Sequence, residues 1–295
     1  MSDIKNILKK LKLSFEFDKD KDGEPYSFGF GFTSKTYHGE FKNKRAIFKL
    51  STLKNSKLKT ITNNYLHKNI IKQLTTNGLC PNVHFIDKKN NLLIYEYIED
   101  KKNLNEISFP IFGESYLIDG DLSNESLEDK YLIQLGEGIK KIHSVKPPKK
   151  FITFNDQLNI YQELLSGVKW PEENHLEQAI NLFKEITKDE DKGDFVFSHN
   201  DLNILNILHT QNKTYFIDWE FASINSKYFD LVSVIHSYKL HDLDINNLFI
   251  YYGLDINDIS IYKKIKEWKK IHENLILIWA AITHKYLLND KEGNS

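Results

Sequence analysis

The chain has 295 residues, of which 40% are hydrophobic and 27% charged, and its formal net charge is −1. These values are ordinary for a globular protein, and they give no support to nucleic-acid binding, which usually requires a basic excess or a basic face. The longest strongly apolar run, residues 275–282, is too short for a membrane span. Lysines interrupt the apolar residues at the N terminus, so no signal peptide is predicted. The single cysteine, Cys80, cannot form an internal disulfide, which favours a cytoplasmic protein.

The first third of the chain is typical of a small lobe of strands with one helix. The helix is predicted at about residues 60–77, where Ile61, Tyr65, Ile70 and Leu74 form an apolar stripe. Strands are predicted at residues 26–37, 41–50, 83–87 and 92–98.

Two features of these strands suggest phosphate binding. Gly29, Gly31, Thr33 and Ser34 form a loop whose backbone N–H groups and hydroxyls could approach phosphates. A bulge or a twist point in an aromatic strand explains the glycines equally well. Lys49 lies between Phe48 and Leu50 and could reach nucleotide phosphates, although most lysines simply face solvent.

The sequence changes character after the last of these strands. Backbone groups of Glu96 and Ile98 are candidates for binding an adenine ring at this point. A polar, irregular stretch at residues 100–124 follows, and helices are predicted at about residues 126–146, 172–187 and 261–288. The sequence therefore predicts an α+β protein with a nucleotide-binding lobe at residues 1–98 and a larger, mainly helical catalytic lobe at residues 99–295.

The most informative motif lies between two short apolar runs, residues 195–197 and 215–217. His199, Asp201 and Asn206 have the spacing H-x-D-x-x-x-x-N, and Asp218 follows the second run. Phosphoryl transfer needs a carboxylate that accepts the proton of a hydroxyl, together with an amide oxygen and a second carboxylate that hold Mg²⁺. A polar turn between core strands is the alternative interpretation of any lone H-x-D.

The chain resembles the aminoglycoside phosphotransferase and choline kinase superfamily, which has the protein-kinase-like fold. The residues that carry the resemblance are 199–202, 206–208, 217–222 and 139–144. The resemblance implies ATP and Mg²⁺ as cofactors, Asp201 as the catalytic base, Asn206 and Asp218 as metal ligands, and Lys49 as a phosphate contact. His199 belongs to the catalytic set, where we expect it to orient the loop rather than to transfer protons.

Within the superfamily, residues 218–222, 225, 229–231 and 251–253 are most similar to choline and ethanolamine kinases. Aromatic faces attract a quaternary ammonium group, so a substrate cage is predicted from aromatic residues of the C-terminal third. The candidates are Tyr251, Trp268, Trp279 and Tyr286, although aromatic residues on a long helix usually belong to the core. Glu220 could assist the metal or attract a cationic substrate, or it could brace the hairpin.

The sequence departs from the superfamily in one respect. Related kinases place an acidic residue on the helix after the nucleotide lysine, where it pairs with that lysine. This chain has no Asp or Glu between Lys49 and Asp87, and residues such as Asn63, Asn64, His67 and Asn69 occupy the region. We therefore expect either that Lys49 relies on a neutral partner or on nucleotide alone, or that the lobe is not tuned for rapid catalysis.

The leading functional hypothesis is an ATP- and Mg²⁺-dependent kinase that phosphorylates a small-molecule alcohol, choline or a related amino alcohol. An aminoglycoside kinase or a kinase of another metabolite, such as thiamine or a sugar, is the second hypothesis. A nucleotide-binding pseudokinase is the third. The sequence leaves the acceptor, the choice between ATP and GTP, and the oligomeric state open.

Overall fold

A computed structural model describes residues 3–20, 24–28, 33–53, 55–62, 67–99, 127–166, 173–188 and 192–292, with the backbone alone at 3, 27–28, 173–175, 192 and 286–292. Gly29, Gly31 and the stretch predicted to be irregular, residues 100–124, lie outside these ranges. The division of the chain at residues 98 and 99 stays a prediction.

The N-terminal part contains an antiparallel sheet in the order β1-β3-β4-β6-β5, with β2 paired to β3. Its strands are β1 (Phe15–Phe17), β2 (Ser27–Phe28), β3 (Ser34–Phe41), β4 (Lys44–Ser51), β5 (Val83–Asp87) and β6 (Leu92–Glu96). The predicted strand 41–50 begins three residues late, because Lys42 and Asn43 form a tight turn with φ values of 52° and 62°. Such two-residue turns match strand twist, and Lys-Asn is a weak sequence signal for them.

Helices dominate the rest of the described chain. The structure contains α1 (Asp3–Lys10), α2 (Ser56–Thr62), α3 (Lys68–Thr76), α4 (Asp129–His143), α5 (Phe154–Leu165), α6 (Glu173–Ile186), α7 (Lys227–Tyr238), α8 (Asp242–Tyr252) and α9 (Ile259–Glu292). The single helix predicted at 60–77 is replaced by α2 and α3. No helix within the described ranges has the length and apolar character needed to cross a membrane.

Short strands and turns in the helical part carry the predicted motif. Strand β7 (Phe195–Ser198) pairs with β10 (Ser223–Ser226), and β8 (Ile207–His209) pairs with β9 (Thr214–Phe216). Both pairs are antiparallel, so the chain turns back on itself twice within residues 195–226. The predicted apolar runs at 195–197 and 215–217 are therefore confirmed as strands or strand ends.

Two glycines allow α4 to pack closely beneath this region. A Cβ on Gly138 would lie 2.7 Å from the ring of Phe216, and a Cβ on Gly136 would lie 2.6 Å from Cβ of Tyr251. Both distances are shorter than real side chains tolerate, so only glycine lets β9 and α8 approach α4 to this distance. The result is a rigid base under the β8–β9 hairpin.

The described buried apolar residues form two clusters. One joins α1 to one face of the N-terminal sheet and includes Ile4, Leu8 and Phe48. The other spans the helical part and also takes in Leu58, Ile61 and Ile70 from α2 and α3. Because α2 and α3 share their apolar contacts with the helical part, burial of these residues holds the sheet against it.

The partly buried His272 predicts a loss of stability in acid. Burial, and then the charge of the nearby His236, lower the pKa of His272 to about 4, and its Nδ1 has no hydrogen-bond partner. The unfolded chain binds this proton near pH 6.5, so the free energy of unfolding falls as the pH falls from 6.5 to 4. We expect His272→Leu to remove about 1–2 kcal/mol of the stability difference between pH 7 and pH 5 in urea unfolding.

His241→Gln is the matched control, because His241 lies exposed at the start of α8. It should lose as much stability between the two pH values as the unmodified protein. Equal losses for all three proteins would contradict the assignment to His272.

Candidate active site

The β8–β9 hairpin brings together three of the predicted residues. Asn206 lies directly before β8 and Asp218 just beyond β9, and the carbonyl of Asn206 accepts a hydrogen bond from Ile217 N at 2.9 Å. The side-chain amide of Asn206 donates to Asp201 Oδ2 at 2.7 Å and to the Asp201 carbonyl at 3.0 Å. The antiparallel register therefore sets Asp201, Asn206 and Asp218 at one end of the hairpin.

The Asp201 carboxylate is held by two amides. Asn203 Nδ2 donates to Oδ1 at 2.9 Å, which complements the bond from Asn206 to Oδ2. Burial, followed by the negative charge of Asp218, raises the pKa of Asp201 to about 8. A general base is most effective when its pKa lies near the working pH, and Asp201 must be in its carboxylate form to act as one. Asn203 is a supporting residue that sequence reasoning missed, although its amide within the motif was a possible signal.

Asp218 has a strained backbone and a cationic partner. Its φ of 65° and ψ of 53° place it in the left-handed region, which is costly for a non-glycine residue and is common at functional sites. Its carboxylate forms an ion pair with Lys49 Nζ, which also lies 3.3 Å from Glu220 Oε2. The expectation that Lys49 has only a neutral partner or nucleotide is therefore wrong. Its acidic partners come from the C-terminal part, more than 160 positions away.

Glu220 is also tied to the N-terminal sheet. It lies on the 3₁₀ turn Trp219–Phe221 with only 5% of its surface exposed, and Thr33 donates its hydroxyl proton to Oε1. Burial, followed by the charge of Asp218, raises the pKa of Glu220 to about 7. Since the Thr33 hydroxyl has one proton to donate, Thr33 does not offer it to a phosphate in this structure. That correction leaves Ser34, which is buried at the start of β3.

His199 positions the loop. It is fully buried, with Nε2 2.9 Å from the Ile217 carbonyl and Nδ1 3.3 Å from Asp201 N. The carbonyl needs a donor and the amide needs an acceptor, so the ring is neutral and protonated on Nε2. Burial also lowers the pKa of His199. With both nitrogens occupied, His199 links the Asp201 loop to the segment before Asp218 and does not transfer protons.

Asp230 anchors the same loop from below. Its carboxylate accepts hydrogen bonds from the backbone N–H groups of His199 at 2.9 Å and Asn200 at 2.8 Å, and His143 Nε2 lies 3.1 Å away. The hydrogen bonds from the His143 ring and from the His199 backbone hold the pKa of the fully buried Asp230 below its usual value despite burial. His143 is fixed in turn by Tyr252 Oη at 2.8 Å from Nδ1.

The two tryptophans of the predicted aromatic cage lie in different surroundings. Trp279 is partly buried and packs against Phe221 at 4.7 Å and Tyr161 at 5.5 Å between ring centroids, beside the Glu220 turn. Trp268 is fully buried among Phe154, Phe183 and Phe229, so it cannot line a substrate cavity. The inclusion of Trp268 in the cage is wrong, and Tyr161 and Phe221 are neighbours that sequence reasoning missed.

The structure does not place either of the two tyrosines of the predicted cage beside Asp201. Tyr251 Oη donates to Asp129 Oδ1 at 2.9 Å, at the first residue of α4. His143, which contacts Asp230 below the catalytic loop, is the last residue of α4. At a rise of about 1.5 Å per residue, it lies about 21 Å along the helix from Asp129. Tyr251 therefore points away from Asp201 and does not belong to the cage. The side chain of Tyr286 lies outside the described part of the structure.

The remaining nucleotide predictions are placed but stay predictions. Glu96 ends β6, where its N–H donates to the Asn82 carbonyl at 2.9 Å and its carboxylate accepts from Asn82 Nδ2 at 2.7 Å. Ile98 follows two residues later at the end of the sheet. Adenine contacts by the backbone of this segment, and phosphate contacts by Gly29 and Gly31, are the parts of the nucleotide site that rest on the sequence alone.

Comparisons with known proteins agree with this geometry. The family model for choline/ethanolamine kinase matches residues 80–272, more than half of the chain. The chain is 29% identical over 233 residues to a LicA homologue of Metamycoplasma hominis, covering 70% of this chain and 91% of that protein.

Two solved structures are also similar. One is the choline kinase LicA from Streptococcus pneumoniae, with a TM-score of 0.67, 18% identity and coverage of 96% of this chain and 90% of that one. The other is LicA in complex with AMP, with a TM-score of 0.69, 18% identity and coverage of 96% and 89%. These structures confirm the predicted α+β fold, with an antiparallel sheet followed by a larger helical part.

The contacts of Asp230 predict a strong effect of Asp230→Asn. An amide can accept only through its oxygen, so one of the two backbone N–H groups of the catalytic loop would lose its acceptor and face an N–H donor. We expect the free energy of unfolding, measured in urea at pH 7, to fall by about 2–4 kcal/mol. His143→Phe removes only the third contact and should cause a smaller loss. A larger loss in His143→Phe than in Asp230→Asn would contradict this order.

Proposed function

The chain belongs to the choline/ethanolamine kinase family, and we propose that it transfers the γ-phosphoryl group of ATP to the primary hydroxyl of choline or a related amino alcohol. Family membership and the LicA relatives make it a kinase-type phosphotransferase that acts on an alcohol. The observation that carries the finer proposal is the convergence of Asp201, Asn206, Asp218 and Lys49 around the end of one hairpin.

Asp201 is the proposed base. A carboxylate oxygen can accept more than one hydrogen bond, so the bonds from Asn203 and Asn206 leave room for the acceptor hydroxyl. The hydroxyl proton would pass to Asp201 as the alcohol oxygen bonds to the γ-phosphorus. The bond from that phosphorus to the bridging oxygen would break, and ADP would leave with its electron pair.

Asn206 and Asp218 are the proposed ligands of Mg²⁺. The amide nitrogen of Asn206 is directed at Asp201, which turns its carboxamide oxygen the other way. That oxygen and the Asp218 carboxylate are hard donors of the type that Mg²⁺ prefers, so the residues fit the ion. Within the described residues no group of three or more His, Cys, Asp or Glu side chains is arranged to hold a metal, so phosphate oxygens and water would complete its shell. When bound, Mg²⁺ would neutralise charge on the transferring group.

The aromatic wall supports an acceptor with a cationic head. Trp279 and Phe221, which are both partly exposed, lie next to the turn that carries Glu220, and the buried Tyr161 packs against Trp279. Aromatic faces bind a quaternary ammonium without requiring it to donate hydrogen bonds.

Asp201→Asn tests the mechanism. We expect ADP release with choline or ethanolamine to fall by about 10²–10⁴-fold, because an amide cannot accept the hydroxyl proton. Calorimetry should still detect ATP·Mg²⁺ binding with an affinity close to that of the unmodified protein. Asp129→Asn is the control and should keep full activity, because Asp129 lies at the far end of α4. Unchanged turnover in Asp201→Asn would overturn the assignment, and no turnover with any amino alcohol would remove the substrate class.

Trp279→Leu tests the substrate wall. Loss of one aromatic face should raise the KM for choline by about tenfold, within the 0.5–2 kcal/mol of a cation–π contact, and raise it less for ethanolamine, which can hydrogen-bond. The KM for ATP should stay the same. Tyr251→Phe is the control, and neither KM should change. An equal rise in the KM values of ATP and choline would show that Trp279 acts through packing alone.

A further inference from the structure

We propose that Glu220 is the positioning residue of Lys49, replacing the helical acid that the chain lacks between Lys49 and Asp87. Its carboxylate would hold the lysine amine in place while Asp218 turns to the metal. This inference rests on the proposed function, because it assigns Lys49 to nucleotide phosphates. It differs from the three roles that the sequence leaves open for Glu220, which are assistance to the metal, attraction of a cationic substrate and bracing of the hairpin.

The two acids around Lys49, Asp218 and Glu220, differ in burial, and this difference indicates different roles. The side chains of Lys49 and Glu220 are only 8% and 7% exposed, whereas that of Asp218 is 32% exposed. Asp218 is therefore accessible from solvent, where metal and phosphates can reach it, and Glu220 is enclosed. A buried carboxylate 3.3 Å from a buried amine is a partner that solvent does not displace easily.

Glu220 is itself fixed by contacts on both sides. Its second oxygen accepts from the Thr33 hydroxyl, and Thr33 is joined to the end of β4 because its carbonyl accepts from Thr52 N at 3.0 Å. On the other side, the Phe221 carbonyl accepts from Gln157 Nε2 and Asn200 Nδ2, each at 2.9 Å. The carboxylate therefore links the strand that carries Lys49 to a turn that cannot shift freely.

The arrangement solves a conflict at the site. Lys49 pairs with Asp218 in this structure, yet Asp218 must give its oxygens to the metal when nucleotide binds. If Asp218 were the sole anion beside Lys49, the lysine would either compete with the metal for the Asp218 carboxylate or no longer be held in position. With Glu220 in place, Lys49 keeps one fixed partner and can direct its remaining donors to phosphate oxygens.

Glu220→Gln tests this role because it keeps the size of the side chain and an acceptor for Thr33 but removes the charge. We expect kcat to fall by about tenfold, as a loss of alignment between reacting groups predicts. The affinity for ATP·Mg²⁺, measured by calorimetry, should change by no more than about threefold. Removing a nearby negative charge favours the binding of anionic phosphates, whereas a less well positioned Lys49 weakens it, so the two effects oppose each other. Glu220→Asp should recover part of kcat.

Asp194→Asn is the matched control. Asp194 is a similarly buried carboxylate, 6% exposed, and it also pairs with lysines, Lys227 and Lys264 at 2.6 Å each, outside the site. We expect it to lower the melting temperature without lowering kcat. If Asp194→Asn and Glu220→Gln lower kcat equally, general destabilisation explains both and the proposal fails.

A double-mutant cycle with Lys49→Met shows whether Glu220 acts through Lys49. We expect Glu220→Gln to cost kcat little in the Lys49→Met background, and the two changes to be non-additive in melting temperature without nucleotide. The melting cycle needs no turnover, so it tests the pair even if no amino alcohol is phosphorylated and the proposed function fails. Additive effects would overturn the proposal. A raised Mg²⁺ requirement would instead make Glu220 a metal ligand, and a raised choline KM alone would make it a substrate contact.

Discussion

The ion pairs that Lys49 makes with Asp218 and Glu220 are the constraint on which the site depends. They join strand β4 to residues that follow β9, across more than 160 positions of the chain. The charge of Asp218 raises the pKa values of both Asp201 and Glu220, because neighbouring carboxylates repel one another. Without the amine, the buried Glu220 would lose its cationic partner, which costs several kcal/mol. Lys49 therefore holds the sheet to the hairpin, and its positive charge offsets the repulsion among the neighbouring carboxylates.

A comparison of Asp230 with Asp201 shows how one residue type serves two purposes. Asp230 is fully buried, whereas Asp201 is partly exposed. Asp230 accepts backbone N–H bonds and faces His143, so its pKa is lowered. Asp201 receives only side-chain amides and lies near other acids, so its pKa is raised. Asp230 is thus fixed as an anion that holds the loop, and Asp201 keeps the readiness to take a proton. His199 joins the two, because its backbone binds Asp230 and its ring binds the backbone of Asp201.

The sequence was sufficient to locate the residues of the hairpin but not the partners that meet across the fold. Asp201, Asn206 and Asp218 could be predicted because their spacing and the flanking apolar runs are local. The partner of Lys49 could not, because the contact with Glu220 is a product of tertiary packing. Trp268 and Trp279 show the same limit. They are eleven positions apart on α9, about three helical turns, and so lie on one face. That periodicity identifies the buried face, but only the packing shows that Trp268 meets the core and Trp279 meets Phe221.

The short segment from Asp218 to Phe221 connects the two halves of the proposed reaction. Its first residue pairs with Lys49 and is the proposed metal ligand, and its last residue packs against Trp279 in the aromatic wall. Helix α5 supports both, since Gln157 binds the Phe221 carbonyl and Tyr161, one helical turn later, packs against Trp279. Because one rigid turn carries the contacts to donor and acceptor, the distance between the phosphoryl group and the alcohol is set by the fold. Such fixed alignment of two reactants is what lowers the entropic part of a bimolecular barrier.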